Sequence, residues 1–277
     1  RISRKFSCIS KSFSRKLCWF TLLTLIINNL VNLGKSMNVK SLIRRNYKKQ
    51  PEVDFPDYKS SIFRAPKNKK ISFPSSDSEI LGPIFNKNII GELDNNLTLN
   101  FSKNKNSPLG HKIIVYGTVS DQFSNPIEGA LIEIWQANSA GKYLHDNDKN
   151  SAPIDPNFAG CGRCLTTSRG YYEFLTIQPG PYPYPNRGIE WRPMHIHFSI
   201  FGKSFGQRLI TQMYFEGDPL IKHCPMVNSI ADEKAKKSLI GALDISKSNT
   251  QNLLAYKFNI VLRGIKQTYF ENRREGL

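Results

Sequence analysis

From His111 onward the chain is cut into short runs crowded with β-branched and aromatic residues: KIIVYGTVSD, ALIEIWQA, GYYEFLTI, HIHFSIFG, RLITQMYF and YKFNIVLRG. Turn signals such as Asp121 to Pro126 and Ser168-Arg169-Gly170 separate them. Runs this short, with these side chains, bury their apolar faces by pairing into sheets. The spacing therefore predicts a mostly β body over residues 111–277, built as a two-sheet β-sandwich. Only residues 231–243 (ADEKAKKSLIGAL) combine helix-like composition with helical apolar spacing and no internal proline, so one short helix is expected there. Between about Gln50 and Gly110, Pro, Asn, Ser and Lys dominate and apolar clusters are short. Residues 37–110 are accordingly expected to form an extended N-terminal arm that wraps a body or a partner.

A formal net charge of +17 over 277 residues raises nucleic acid or an anionic membrane surface as a partner. The distribution argues otherwise. Twelve Lys or Arg and no Asp or Glu fall within residues 1–50, which leaves +5 on the other 227 residues. The body is only mildly basic, and neither nucleic acid nor a membrane is expected as its partner. Leu17 to Leu33 (LCWFTLLTLIINNLVNL) follows a basic, Ser-rich run in the manner of a targeting or anchoring segment. No small-residue cleavage site follows cleanly, and Met37 opens an ordinary-looking start. Residues 1–36 are therefore a leader read either as a targeting segment or as sequence upstream of the true start.

Five cysteines form no evident disulfide framework, which fits a reducing, cytoplasmic compartment. Cys161-Gly-Arg-Cys164 has CxxC spacing but no second CxxC or His pair at zinc-finger spacing, so two incidental thiols are expected.

The chemistry begins at His195-Ile196-His197. In a strand the period of two sends both imidazoles to one face and Ile196, Phe198 and Ile200 to the other. Two converging nitrogens can hold a metal; two hydrogen-bonded histidines are the plainer alternative. No Asp or Glu stands close enough in sequence to complete a two-His-one-carboxylate ferrous site. Upstream lies Pro179-Gly180-Pro181-Tyr182-Pro183-Tyr184-Pro185, read as a stiff turn that presents Tyr182. A tyrosine there can be a packing residue. Beside two histidines it also suits a ferric ion, since a hard trivalent cation favours an anionic phenolate.

WQAN at 135–138, GKYLH at 141–145, DPNFAGCGRCLT at 155–166, GYYEFLTIQPGPYPY at 170–184, EWRPMHIHFS at 190–199 and QRLITQMYFEGDPLI at 207–221 together resemble the intradiol ring-cleaving dioxygenases, and among them the β subunits of protocatechuate 3,4-dioxygenases. The likeness runs from about residue 54 to the C-terminus, including PDYKSSIFRAP at 56–66. It implies an Fe(III) centre held by Tyr143, Tyr182, His195 and His197, with Tyr182 the ligand released on substrate binding. It implies that Arg192 stabilises negative charge on a bound catecholate and on the departing Tyr182. Gln212 matches a pocket residue on the oxygen side, and Tyr58 and Trp135 match residues that shape the ring pocket. Where the family usually has Trp and Ile, this chain has Tyr184 and Met226, which keep an apolar wall but change its fit to the ring substituent.

The resemblance further implies a homologous, iron-free α subunit as partner and 3,4-dihydroxybenzoate and dioxygen as substrates. Two other readings stand beside it. One is an intradiol dioxygenase for another catechol, although residues 37–110 lack the helical pattern such relatives carry. The other is a non-catalytic sandwich subunit, against which all four ligand residues argue.

Overall fold

The computed structural model describes residues 49–68, 85, 87–102, 106–203, 207–249 and 253–262. The leader at 1–36 and much of the expected arm lie outside the described residues.

Eleven strands are defined: β1 (Lys112–Asp121), β2 (Leu131–Gln136), β3 (Cys161–Leu165), β4 (Tyr171–Ile177), β5 (Tyr182–Pro185), β6 (Ile189–Arg192), β7 (His195–Phe201), β8 (Arg208–Phe215), β9 (Ile240–Leu243), β10 (Leu254–Lys257) and β11 (Ile260–Leu262). Nine of them join in one sheet, along the path β3-β2-β7-β8-β9-β10-β1, with β11 and β4 both also paired to β1. β5 and β6 form a separate two-stranded ribbon. β10 and β11 run parallel to β1, and β9 runs parallel to β8; the remaining pairs are antiparallel. The fold is thus mostly β, as the run lengths require.

The core follows from side-chain alternation. Along β7, Ile196, Phe198 and Ile200 are at most 1 % exposed and join Ile113, Val115, Ile132, Phe174 and Met213 in one apolar cluster. His195, His197 and Ser199 take the opposite face. Residues 91–101 also reach this cluster: Leu97 is fully buried, its N–H donates to the Leu175 carbonyl at 2.8 Å, and Arg163 N–H donates to the Asp94 carbonyl at 2.9 Å.

α-Helix is confined to three short pieces among the described residues: α1 (Ser61–Arg64), α2 (Pro225–Asn228) and α3 (Glu233–Lys237), beside single 3-10 turns at Lys87–Ile89 and Ile221–His223. The single helix expected over 231–243 is therefore corrected in number and extent. Asp232 caps α3 by accepting from Ala235 N–H at 2.8 Å, but α3 buries none of its residues. From Ile240 the backbone instead pairs with Tyr214 and Phe215 of β8, so sheet hydrogen bonds outcompete a helix with no face to bury. The Pro-rich turn expected around Tyr182 is likewise a strand. In β5, Pro183 and Pro185 sit on a two-stranded ribbon, where a missing donor costs no ladder in a larger sheet.

Cys161 and Cys164 share β3 at an odd separation and so lie on opposite faces, which rules out a bond between them there. Burial pushes the Cys164 thiol up to about 12, so it stays protonated.

Truncating Leu97 tests whether the 91–101 segment belongs to the core. Leu97→Ala should lower unfolding free energy by about 3 kcal/mol, seen as a reduced denaturant midpoint at unchanged slope. A midpoint equal to wild type would show that this segment does not support the body.

Candidate active site

His195 is 2 % exposed, and its Nδ1 lies 2.7 Å from the Pro193 carbonyl oxygen. A carbonyl only accepts, so Nδ1 carries the hydrogen and Nε2 keeps a bare lone pair. That lone pair meets two phenols, with Tyr143 Oη at 3.4 Å and Tyr182 Oη at 3.5 Å. The ring of His197 is 5.0 Å from that of His195 and 6.2 Å from that of Tyr143, and the two tyrosine rings are 5.5 Å apart. Tyr143, Tyr182, His195 and His197 thus form one cluster. Among the described residues no group of three or more His, Cys, Asp or Glu converges, so phenolic oxygen is the acidic donor available to a metal here.

Electrostatics fix the protonation of the cluster. Burial, then the charge of Arg192, then His197 push His195 well below the ordinary imidazole value; burial and Arg192 bring His197 down to about 4. Both rings are neutral ligands in waiting. Burial raises the Tyr143 phenol, and the neighbouring Tyr182 adds to it. Tyr182 is raised by burial too, with Arg192 opposing. Arg192 opposes burial at both phenols, standing next after burial at Tyr182 and behind the contacts with Tyr182 at Tyr143.

The origin of that asymmetry is a cross-strand pair. In the β5–β6 ribbon Tyr182 stands directly opposite Arg192, whose Cζ is 6.0 Å from the tyrosine ring centre. Arg192 is 4 % exposed, and its Nη2 donates to Gln212 Oε1 at 2.6 Å. Its Nε is buried without a partner. A buried guanidinium N–H left open in a cluster of this kind is a vacant donor for an anionic oxygen.

Tyr143 comes from the loop after β2. Its N–H donates to Asp148 Oδ2 at 2.8 Å, while buried Lys142 Nζ donates to the Asp148 carbonyl at 2.8 Å and also to the Asn150 carbonyl. This loop locks onto the segment that leads into β5 and Tyr182. Gly180 N–H donates to the Asn138 carbonyl at 2.9 Å. A Cβ on Gly180 would lie 2.4 Å from the Ser139 carbonyl oxygen, and one on Gly141, at φ +80°, would lie 2.3 Å from that of Pro181. Only glycine allows the two backbones this close.

A family model described as Dioxygenase matches residues 80–264, and one described as Protocatechuate 3,4-dioxygenase beta subunit N terminal matches residues 43–76. The protocatechuate 3,4-dioxygenase beta chain of Burkholderia cepacia is 44% identical over 230 residues, covering 83% of this chain and 97% of that protein. The alpha chain of the Pseudomonas putida enzyme is 26% identical over 163 residues, covering 58% of this chain and 76% of that protein. Catechol 1,2-dioxygenase 1 of Acinetobacter lwoffii is 37% identical over 120 residues, covering 39% of this chain and 37% of that protein. The chain belongs to the intradiol dioxygenase family.

Within this intradiol dioxygenase chain the remaining expected residues take four positions. Trp135, opposite His197 in the β2–β7 register, packs its ring 4.7 Å from that of Tyr143. Tyr184, opposite Glu190, donates to Glu190 Oε2 at 3.1 Å, and its ring is 6.5 Å from that of Tyr58. Asn186 ties the two elements together, accepting from Lys59 N–H at 2.9 Å and donating to the Asp57 carbonyl at 2.7 Å. Met226 packs instead in a small cluster with Tyr214, Cys224 and Val227. Gln212 lies opposite His197 on β8.

Sequence reasoning missed Asp218, Asp148 and Tyr214. Asp218 Oδ2 accepts from Met194 N–H at 2.8 Å and so holds the turn that aims His195. No local pattern marks such residues, because each acts across a loop contact.

The loop interlock gives a direct test. Gly180→Ala should cost about 1–3 kcal/mol of unfolding free energy by overpacking, measured by chemical denaturation. Wild-type stability in this variant would mean that the two tyrosine loops are not held together at Gly180.

Proposed function

We propose that this chain is the iron-bearing β subunit of a protocatechuate 3,4-dioxygenase. It would cleave 3,4-dihydroxybenzoate between its hydroxylated carbons and incorporate both atoms of dioxygen to give 3-carboxy-cis,cis-muconate. The observation that carries this reading is the meeting of two phenols on the bare Nε2 of His195, beside His197 and a buried arginine with an open donor.

These residues fit a ferric ion. Two neutral imidazoles cost nothing to deprotonate, and two phenols can supply anionic charge to match a trivalent cation. Tyr143, Tyr182, His195 and His197 would hold it. When bound, the ion would supply Lewis acidity that favours the doubly deprotonated catecholate, whose ring is more electron-rich than that of the neutral catechol. Tyr182, directly across the ribbon from Arg192, is the phenol that would yield its place and take a catechol proton on Oη. Arg192 offers Nε–H to the negative charge that gathers on the substrate. Tyr143, anchored through Asp148 and Lys142, remains in place. Trp135, Tyr58 and Tyr184 line the ring, and Met226 supports the wall behind Tyr214.

The same reading extends to architecture and assembly. The nine strands are best understood as two packed layers of a sandwich, since Tyr172 on β4 meets Phe198 on β7 at 6.1 Å although those strands are not neighbours in the sheet. A homologous α subunit is the partner, supported by a relative named as an alpha chain that aligns with this one. Of residues 37–110, the arm in this reading, the 91–101 part packs on the chain's own core and the rest is left to reach that partner, with 111–277 as the catalytic body. Three free thiols among the described residues accord with a cytoplasmic location.

Two substitutions separate ligation from charge stabilisation. In the αβ complex, Tyr143→Phe should weaken both the visible tyrosinate-to-iron colour and the activity. Arg192→Ala should reduce turnover by about 100-fold or more at near wild-type iron content. A colourless, iron-free complex with full activity would refute the ferric assignment, and equal loss of iron and turnover in Arg192→Ala would refute its role.

A further inference from the structure

Gln212 is a pocket amide, and an amide has two chemically opposite ends. Which end faces a ligand decides whether it donates or accepts. Here the orientation follows from its partners. A guanidinium only donates, so the Gln212 atom 2.6 Å from Arg192 Nη2 is oxygen, and the same oxygen accepts from Tyr214 Oη at 2.8 Å. Tyr214 Oη in turn accepts from Arg192 Nη2 at 3.4 Å, closing a three-membered ring of hydrogen bonds. Tyr214 is 3 % exposed, stands opposite His195 in the β7–β8 register, and stacks 5.9 Å from that imidazole. Its position is fixed by the sheet and by the cluster of Cys224 and Val227 around it.

We propose that Tyr214 is a positioning residue that locks the Gln212 amide with its oxygen on Arg192, so that its NH2 group is presented to oxygen atoms bound in the pocket. This rests on the intradiol reading above and adds to it a residue that touches neither iron nor substrate. Two consequences follow from the geometry. With Oε1 engaged twice, rotating the amide would set NH2 against the guanidinium, donor against donor, and would take from the Tyr214 hydroxyl the oxygen it donates to. The same ring fixes one corner of Arg192, leaving Nε as its open donor. Tyr214 thereby acts on the handling of dioxygen-derived oxygen more than on the docking of the catechol ring.

The test compares Tyr214→Phe, Gln212→Leu and the double variant in the assembled αβ complex. Tyr214→Phe keeps the ring and its stack on His195, so melting temperature, iron content and visible colour should stay near wild type. Anaerobic optical titration with protocatechuate should give a Kd within about threefold of wild type, while kcat/KM for dioxygen falls about tenfold, the scale of one lost polar contact. Because Tyr214 acts through Gln212, the double variant should be no more than about twofold below Gln212→Leu. Full multiplication of the two losses, unchanged kcat/KM for dioxygen in Tyr214→Phe, or loss of iron in step with activity would each overturn the proposal. The wild-type complex, measured alongside for iron and for dioxygen uptake, tests the parent reading separately.

Discussion

The pairing register of β7 is the constraint on which the site depends. β7 lies between β2 and β8, and its alternation sends Ile196, Phe198 and Ile200 into the core while His195 and His197 face the site. Register then chooses their neighbours. Trp135, His197 and Gln212 form one row across the three strands, and Tyr214 stands beside His195. Slipping β7 by one residue would put core residues such as Ile196 and Phe198 where His195 and His197 now stand. The apolar burial of Ile196, Phe198 and Ile200 therefore does the work of aiming the imidazoles, and it does so without contacting them.

What the sheet cannot supply comes from loops, and those loops are held more tightly than loops usually are. Tyr143 and Tyr182 are 39 positions apart in sequence, yet their backbones touch through Gly141 and Gly180. The interlock matters because the two phenols have different electrostatic surroundings. Tyr182 has Arg192 across the ribbon and Tyr143 has the loop built on Asp148. Close backbones thus hold together two phenols whose side-chain environments are unequal.

Legibility in the sequence tracked the range of the interactions involved. The short β runs and the alternation in HIHFSIF are local patterns, and the mostly β class and the shared face of His195 and His197 could be read from them directly. Tyr182 was visible for its prolines, but the ribbon that places it opposite Arg192 was not, because Pro183 and Pro185 argue locally for a turn. The helical pattern at 231–243 failed at Ile240 for the same reason, since pairing with β8 is invisible in that window. Tyr143, in a loop with no periodicity, was reached only through resemblance. Asp148, Asp218 and Tyr214 act through single hydrogen bonds across loops or strands, and a sequence holds no signal for these short of the fold itself.

The wall around the ring carries the chain's own character. Tyr184 stands where the family usually places Trp, and a phenol could in principle offer a new donor to a ring substituent. The ribbon argues against that role, because the Tyr184 hydroxyl is already given to Glu190, its cross-strand partner, and Glu190 is further held by Asn186 Nδ2 at 3.1 Å. Its phenol is raised by burial and by Glu190, so it remains protonated and stays a donor to that carboxylate. Asn186 also binds the backbone at Asp57 and Lys59, which brings Tyr58 against the same wall. Tyr184 therefore presents an aromatic surface of smaller area, with its polar end turned into the ribbon. The buried polar group without a partner on this side of the ribbon is Arg192 Nε and not the Tyr184 hydroxyl.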